Sequence, residues 1–150
     1  MNIVLFTVWL NFIGIFYSAS VKDRIITYNG TDYQTTYAAP AEFIGVYQGK
    51  KTGFLRLSAD GTGEYKYDIF GYAPASCERK PIAFIWGFML NKKGKISKNE
   101  RDYGFSYPIL LQSTGANSFQ GCRTDVLKEY ILSKGKSLHV SSSDDWQKTK

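Results

Sequence analysis

The sequence predicts an all-β domain, a small antiparallel barrel, set behind an apolar leader. Three observations predict it. The first twenty residues carry no charged side chain, and every Lys, Arg, Asp, Glu and Cys lies beyond them. The rest of the chain breaks into short alternating segments rich in Tyr, Phe and β-branched residues. Gly-centred turns punctuate those segments at short intervals.

The leader comes first. Ile3 to Tyr17 is apolar apart from Thr7, Asn11 and Gly14, and it is short against the roughly 20 residues of a bilayer-spanning helix. Ser18, Ala19 and Ser20 then supply small residues ahead of Lys22, Asp23 and Arg24. That order is expected of a secretory signal peptide over 1–20, cleaved near Val21, with one domain over 21–150. The alternative is an uncleaved membrane anchor, since no Lys or Arg precedes the apolar run. Once cleaved, the chain is expected to carry no stable membrane span.

Two hairpins are written plainly. Asn29-Gly30 separates Arg24–Tyr28 from Thr31–Tyr37, and Asn-Gly supplies the positive φ angles of a type I′ turn. The same Asn29-Gly30-Thr31 also matches a glycosylation sequon. Ala59-Asp60-Gly61-Thr62-Gly63 joins Phe54–Ser58 to a stretch in which Tyr65, Tyr67 and Ile69 alternate with Glu64, Lys66 and Asp68. Between the hairpins, Glu42 to Gln48 is expected as a strand.

Beyond residue 80 the pattern continues. Pro81 to Leu90 is apolar on both faces, as in a strand covered on both sides or facing a partner. Lys92-Lys93-Gly94-Lys95 makes a turn. Tyr103 to Gln112 places Phe105, Tyr107, Ile109 and Leu111 on one face, with Pro108 favouring an edge or a bulge. Ser118 to Arg123 is a further short segment. Residues 124–132 admit either a capped helical turn or a strand. The following Lys134-Gly135-Lys136 turn and the alternating Leu138 and Val140 favour a hairpin of Leu127–Ser133 with Ser137–Ser142. A polar tail with Trp146 as its only anchor ends the chain.

Phe43-Ile44-Gly45-Val46-Tyr47, followed by Phe54-Leu55-Arg56-Leu57-Ser58-Ala59-Asp60-Gly61-Thr62-Gly63-Glu64-Tyr65, resembles lipocalin-like domains of the calycin group. Such domains often open with Gly-x-Trp on the first barrel strand and carry an Ala-Asp-Gly-Thr hairpin soon after. Tyr47 stands where Trp is usual, and strands precede the motif here. The resemblance implies an antiparallel up-and-down barrel of about eight strands, holding a small apolar ligand. An eight-stranded interior is just wide enough for packed side chains or for one such ligand.

The aromatics are the richest material for a site. Tyr47, Tyr65, Tyr67, Trp86, Phe88 and Tyr107 are the expected lining of a pocket for a small hydrophobic or aromatic ligand. The same residues could equally fill the core and leave the chain as a structural or protein-interaction module. Cys77 and Cys122, an even pair in an exported chain, are expected to form one disulfide. It would close a loop of about 45 residues, worth about 4 kcal/mol in the chain-entropy picture.

No catalytic, metal or cofactor set is expected. His139 is the lone histidine and reads as a strand residue rather than a general base. Glu42 and Glu64 form an acid pair only if strand pairing brings them together. Asp144-Asp145 is too small a ligand set for calcium and reads as solvated tail. The net charge of +6 is modest, and its densest run, Lys92, Lys93, Lys95, Lys98 and Arg101, lacks a recognition helix or an aromatic RNA motif. Nucleic acid is therefore not an expected partner. Anionic polymer or lipid is the patch's functional reading, and a solvated loop its plain one.

Overall fold

A computed structural model of the chain describes residues 22–49, 53–66, 81–102, 104–115, 119, 125–132, 136–139 and 145–149. The leader, the Ser118–Arg123 segment apart from Phe119, Tyr67, Cys77 and Cys122 lie outside them.

Among the described residues, eleven strands form one antiparallel sheet: β1 (Asp23–Tyr28), β2 (Thr31–Thr36), β3 (Gly45–Gln48), β4 (Phe54–Leu57), β5 (Thr62–Lys66), β6 (Ile82–Met89), β7 (Asn99–Arg101), β8 (Gly104–Ser113), β9 (Val126–Leu132), β10 (Ser137–His139) and β11 (Asp145–Lys148). Eight of them close a barrel in the order β6–β5–β4–β3–β11–β10–β9–β8, with β8 pairing back onto β6. The predicted all-β class and the closed eight-stranded antiparallel barrel are both present. The architecture is compatible with a calycin-like fold.

The barrel interior follows the period-2 alternation. Leu55 and Leu57 of β4, Tyr65 of β5, Phe84, Trp86 and Phe88 of β6, and Ile109 and Leu111 of β8 are all buried in one central cluster. At about 25 cal/mol per Å² of apolar surface, each such side chain contributes on the order of 2 kcal/mol. This cluster is what holds the strands in register.

Gly63 lets that packing happen, because a Cβ there would lie 2.3 Å from the Arg56 carbonyl and 2.4 Å from the Phe84 ring.

The β1–β2 hairpin sits outside the barrel. Its turn has Asn29 at φ 50° and Gly30 at φ 76°, as Asn-Gly predicts. Thr35 and Thr36 pair with Met89 and Phe88 at the end of β6, and β1 lies against β8 and β9. Ile26 and Leu110 are fully buried yet belong to no part of the central cluster. They mark a second, smaller core between hairpin and barrel wall. Arg24 fastens the hairpin to the β4–β5 turn: its guanidinium donates to the Gly61 carbonyl at 3.2 Å and lies 4.3 Å from the Tyr37 ring centre.

Three sequence expectations are corrected. Glu42 to Gln48 is not one strand: Ala41–Phe43 is a single 3₁₀ turn, and β3 starts only at Gly45, whose φ of 139° no other residue adopts easily. The polar tail is not a tail, because β11 pairs with both β10 and β3 and so completes the barrel wall. With Trp146 as its one apolar residue, this strand gave no alternation to read. Pro108 is neither at a sheet edge nor shown at a bulge; it lies within β8, opposite Tyr130 of β9. The Ser113 amide donates to Asp125, which sets the odd residues of β8 in the ladder to β9. Pro108 therefore turns its missing N–H to the other side, in the gap between the β7-paired residues 104–106 and the β6-paired residues 109–113.

Residues 126–132 are strand and not helix. The face that carries Leu127 and Ile131 closes the core, and tertiary pairing on both sides decides the ambiguity that local sequence left.

Candidate functional site

The interior is organised as two aromatic groups at opposite ends. At one end Phe43 meets Phe88 and Tyr107, each with ring centres 5.1 Å away, and Trp86 meets Phe88 edge-on at 5.7 Å. At the other, Tyr65 stacks on Trp146 at 5.6 Å and meets Phe119 edge-on at 5.7 Å, with Phe84 at 6.1 Å from Phe119. These separations lie within the range of favourable aromatic pairs.

Of the six residues expected to line a pocket, five are described. Tyr47, Tyr65, Trp86 and Phe88 all point inward and expose none of their surface. All four belong to the central buried cluster. Tyr107 is half-buried and packs on the same core from one end, together with Tyr37, Ala39, Ile44 and Ile96. Tyr67 lies outside the described residues.

Two polar groups inside are held by the backbone. The Tyr47 hydroxyl donates to the Phe43 carbonyl at 2.9 Å, and burial pushes its pKa above the ordinary tyrosine value. The Trp86 indole Nε1 donates to the carbonyls of Thr62 at 3.0 Å and Ser58 at 3.2 Å. Both rings therefore act as fasteners: Tyr47 ties β3 to the 3₁₀ turn that seats Phe43, and Trp86 ties β6 to the β4–β5 turn.

One interior residue escaped the sequence reading. Glu129 of β9 is buried to 1% and lies directly across from Ile109, on the face shared by Leu127 and Ile131. The signal was present: in Leu127-Lys128-Glu129-Tyr130-Ile131, the acid falls on the apolar phase of the alternation.

Glu42 and Glu64 do not converge, and Asp144 lies outside the described residues. Glu64 is exposed and pairs with Arg56 at 2.7 Å across β5 and β4. Glu42 is exposed on the 3₁₀ turn, where its carbonyl accepts from the Lys148 ammonium. His139 and Asp145 are backbone partners in the β10–β11 pair. Among the described residues, no three His, Cys, Asp or Glu side chains stand together as a metal site.

The basic run is more ordered than its composition suggests. Leu90 pairs with Ile96, and the Ser97 amide donates to Met89 at 2.8 Å. Inside this hairpin the Asn91 side-chain oxygen accepts from the amides of Lys93 at 2.9 Å and Lys95 at 3.1 Å. The turn is closed by Gly94 donating to Asn91 and by Asn91 donating to Lys95. Lys92, Lys93, Lys95 and Lys98 are all exposed on it. None of the four is ion-paired among the described residues. Lys98 instead places its ammonium 4.2 Å from the centre of the Phe105 ring.

No family model, no curated protein and no solved structure matches the chain.

Proposed function

We propose that the protein is an exported, non-enzymatic binding module in which a calycin-like barrel with a filled interior serves as a rigid scaffold and recognition lies on its outer surface. The carrying observation is the interior itself. Tyr47, Tyr65, Trp86 and Phe88 have no exposed surface and are committed to packing with neighbouring rings or to hydrogen bonds with the backbone. A ligand entering there would have to displace rings that hold the strands together.

Export rests on the leader reading. The lipocalin-like relationship rests on the Gly45-Val46-Tyr47 start of the first barrel-wall strand after the 3₁₀ turn and on the Ala59-Asp60-Gly61-Thr62 hairpin. Among the described residues no helix is long and apolar enough to cross a membrane.

A second reading, a small hydrophobic ligand held inside the barrel, draws on the inward-facing aromatics Tyr47, Tyr65, Trp86 and Phe88.

A native mass spectrum of the protein taken from its own host, compared with its denatured mass, separates the two. The bare chain mass is expected. A stoichiometric noncovalent adduct on the native protein would reverse the order of the readings.

A further inference from the structure

Surface recognition needs a surface, and the structure offers one that is both preorganised and charged. The hairpin 89–97 carries three lysines, Lys92, Lys93 and Lys95, with Lys98 just beyond it, and no acidic residue lies between Met89 and Asn99. Like charges held close on a flexible loop would spread apart. Here the Asn91 side chain and the Leu90–Ile96 pair hold the turn backbone in one conformation. Ile96 anchors the hairpin by packing against the core. Beyond it, Glu100 and Asp102 flank Arg101, so the positive field is centred on the hairpin and not on β7.

The surface is not only charged. Ile25 and Phe105 are the exposed large hydrophobics among the described residues, and Phe105, 39% exposed, lies under Lys98. Phe105 continues the inward-facing phase of Tyr107 and Ile109 past the end of the barrel. An aromatic ring under the Lys98 ammonium, next along the chain to a turn with three more exposed lysines, matches a bilayer interface. The apolar ring suits burial at the boundary of headgroups and acyl chains, and the lysines suit anionic phosphates.

We infer that the 90–98 hairpin, with Phe105, is a peripheral docking site for a membrane surface rich in anionic phospholipid. This rests on the reading of the barrel as a scaffold that binds by its exterior. Each lysine near an anionic bilayer is worth about fivefold in partitioning, so loss of three weakens binding by about 100-fold. The attraction is electrostatic and falls as salt rises.

The experiment is flotation with phosphatidylcholine vesicles, with and without phosphatidylserine, on protein produced in its native host. Wild type is expected to float only with the phosphatidylserine vesicles, and to be released by salt. The variant Lys92→Gln/Lys93→Gln/Lys95→Gln is expected to lose about 100-fold. A control with the same charge change elsewhere, Lys22→Gln/Lys66→Gln/Lys128→Gln, is expected to lose far less. Phe105→Trp, which keeps an aromatic ring in place, serves as a reporter whose emission should shift to the blue on phosphatidylserine vesicles. No flotation of wild type, equal losses in the two triple variants, or no blue shift overturns the inference. So does hairpin-dependent retention on a sulfated polysaccharide with no vesicle binding, which would assign the site to glycan. Any of these failures with a bare native mass leaves the filled scaffold standing, whereas a bound adduct in that spectrum overturns the scaffold reading itself.

Discussion

The Tyr47 hydroxyl donates to the Phe43 carbonyl at 2.9 Å, inside the barrel and four residues back along the chain. This one bond links the first residue buried in the barrel wall to the 3₁₀ turn that precedes it. Phe43, at the end of that turn, packs between Phe88 and Tyr107 and closes one end of the barrel. Tyr47→Phe would leave the Phe43 carbonyl buried without its donor. A loss of about 1–3 kcal/mol is expected, read as a lower midpoint in urea with an unchanged slope.

Tyr47 also sets a pH dependence. Burial raises its pKa in the folded state, so the folded protein keeps this proton at a pH where the unfolded chain, with an ordinary tyrosine near pKa 10, releases it. The unfolded state is then favoured as pH rises. The contribution is fully present below about pH 10 and drains away above it. Urea midpoints taken between about pH 8 and about pH 11 should fall for wild type and fall less steeply for Tyr47→Phe. Equal slopes for the two proteins would show that Tyr47 does not govern the alkaline limb.

At the opposite limb Asp60 acts. Its carboxylate accepts from the Thr62 hydroxyl at 2.7 Å and from the Thr62 amide at 2.9 Å, and these bonds lower its pKa. A lowered pKa gives stability that is present above the ordinary aspartate range, near 3.9, and is lost as pH falls through the folded value. Asp60→Asn keeps an acceptor for Thr62 but cannot titrate. Its stability should therefore vary less with pH on the acid side than that of wild type, which thermal melts across that range would read.

The turn at Asp60 was legible from Ala59-Asp60-Gly61-Thr62 alone, and the reason is local. Gly61 takes φ 80°, and the Asp60 side chain closes the turn on its own neighbour. The Asn29-Gly30 hairpin was legible for the same reason. Tyr47, Tyr65, Trp86 and Phe88 were correctly assigned to the inside because alternation fixes which face a strand residue shares. Alternation does not fix how tightly opposing walls approach, so by itself it does not choose between a lined pocket and a packed core. Phe43 fills one end of the barrel from a 3₁₀ turn, and Trp146 fills the other from a strand that reads as polar tail. Neither position follows from the residues around it. Closure through β11 depends on pairing with β3, a partner about one hundred residues away in sequence. The order of the basic hairpin was hidden too, because the Asn91 side chain that pins it looks like any polar turn residue until the amides that donate to it are seen.

Gly87 should be the most sensitive point for docking of the outer hairpin. A Cβ there would meet the Thr35 hydroxyl oxygen at 2.5 Å and the Thr35 Cβ at 2.7 Å. Thr35 is itself held by donating to the Arg24 carbonyl at 2.9 Å, so it has little room to yield. Gly87→Ala is expected to cost about 1–3 kcal/mol by overpacking. Amide exchange should locate the damage: β1 and β2 lose protection while β4 and β5 keep theirs. Uniform loss across all strands would mean that hairpin and barrel open as one unit.

The Arg56–Glu64 pair marks the other extreme. Its atoms are 2.7 Å apart, yet the side chains are 52% and 44% exposed. Water screens such a pair, and holding two long side chains in place costs entropy, so its net worth is under about 1 kcal/mol. Arg56→Ala should shift the urea midpoint only slightly, with most of the shift removed by added salt. A loss comparable to that of Tyr47→Phe would show that the pair has a role beyond the surface.

Trp86 joins the barrel wall to the β4–β5 turn at three points. Its indole donates to the carbonyls of Ser58 and Thr62, and its backbone amide donates to Gly61 at 3.0 Å. Trp86→Phe removes the two indole bonds and leaves the backbone bond. It also leaves part of the ring's volume empty in a site with no accessible surface. The lost bonds and the cavity together should cost about 2–5 kcal/mol. The Gly61 carbonyl is also the acceptor for Arg24, so loosening the turn should weaken the hold on the outer hairpin. Trp86→Phe is accordingly expected to reduce exchange protection in β1 and β2, although neither strand touches the substituted atoms through a hydrogen bond. A variant that is globally weaker but leaves β1 and β2 as protected as the barrel strands would show that the hairpin is held by β6, β8 and β9 alone.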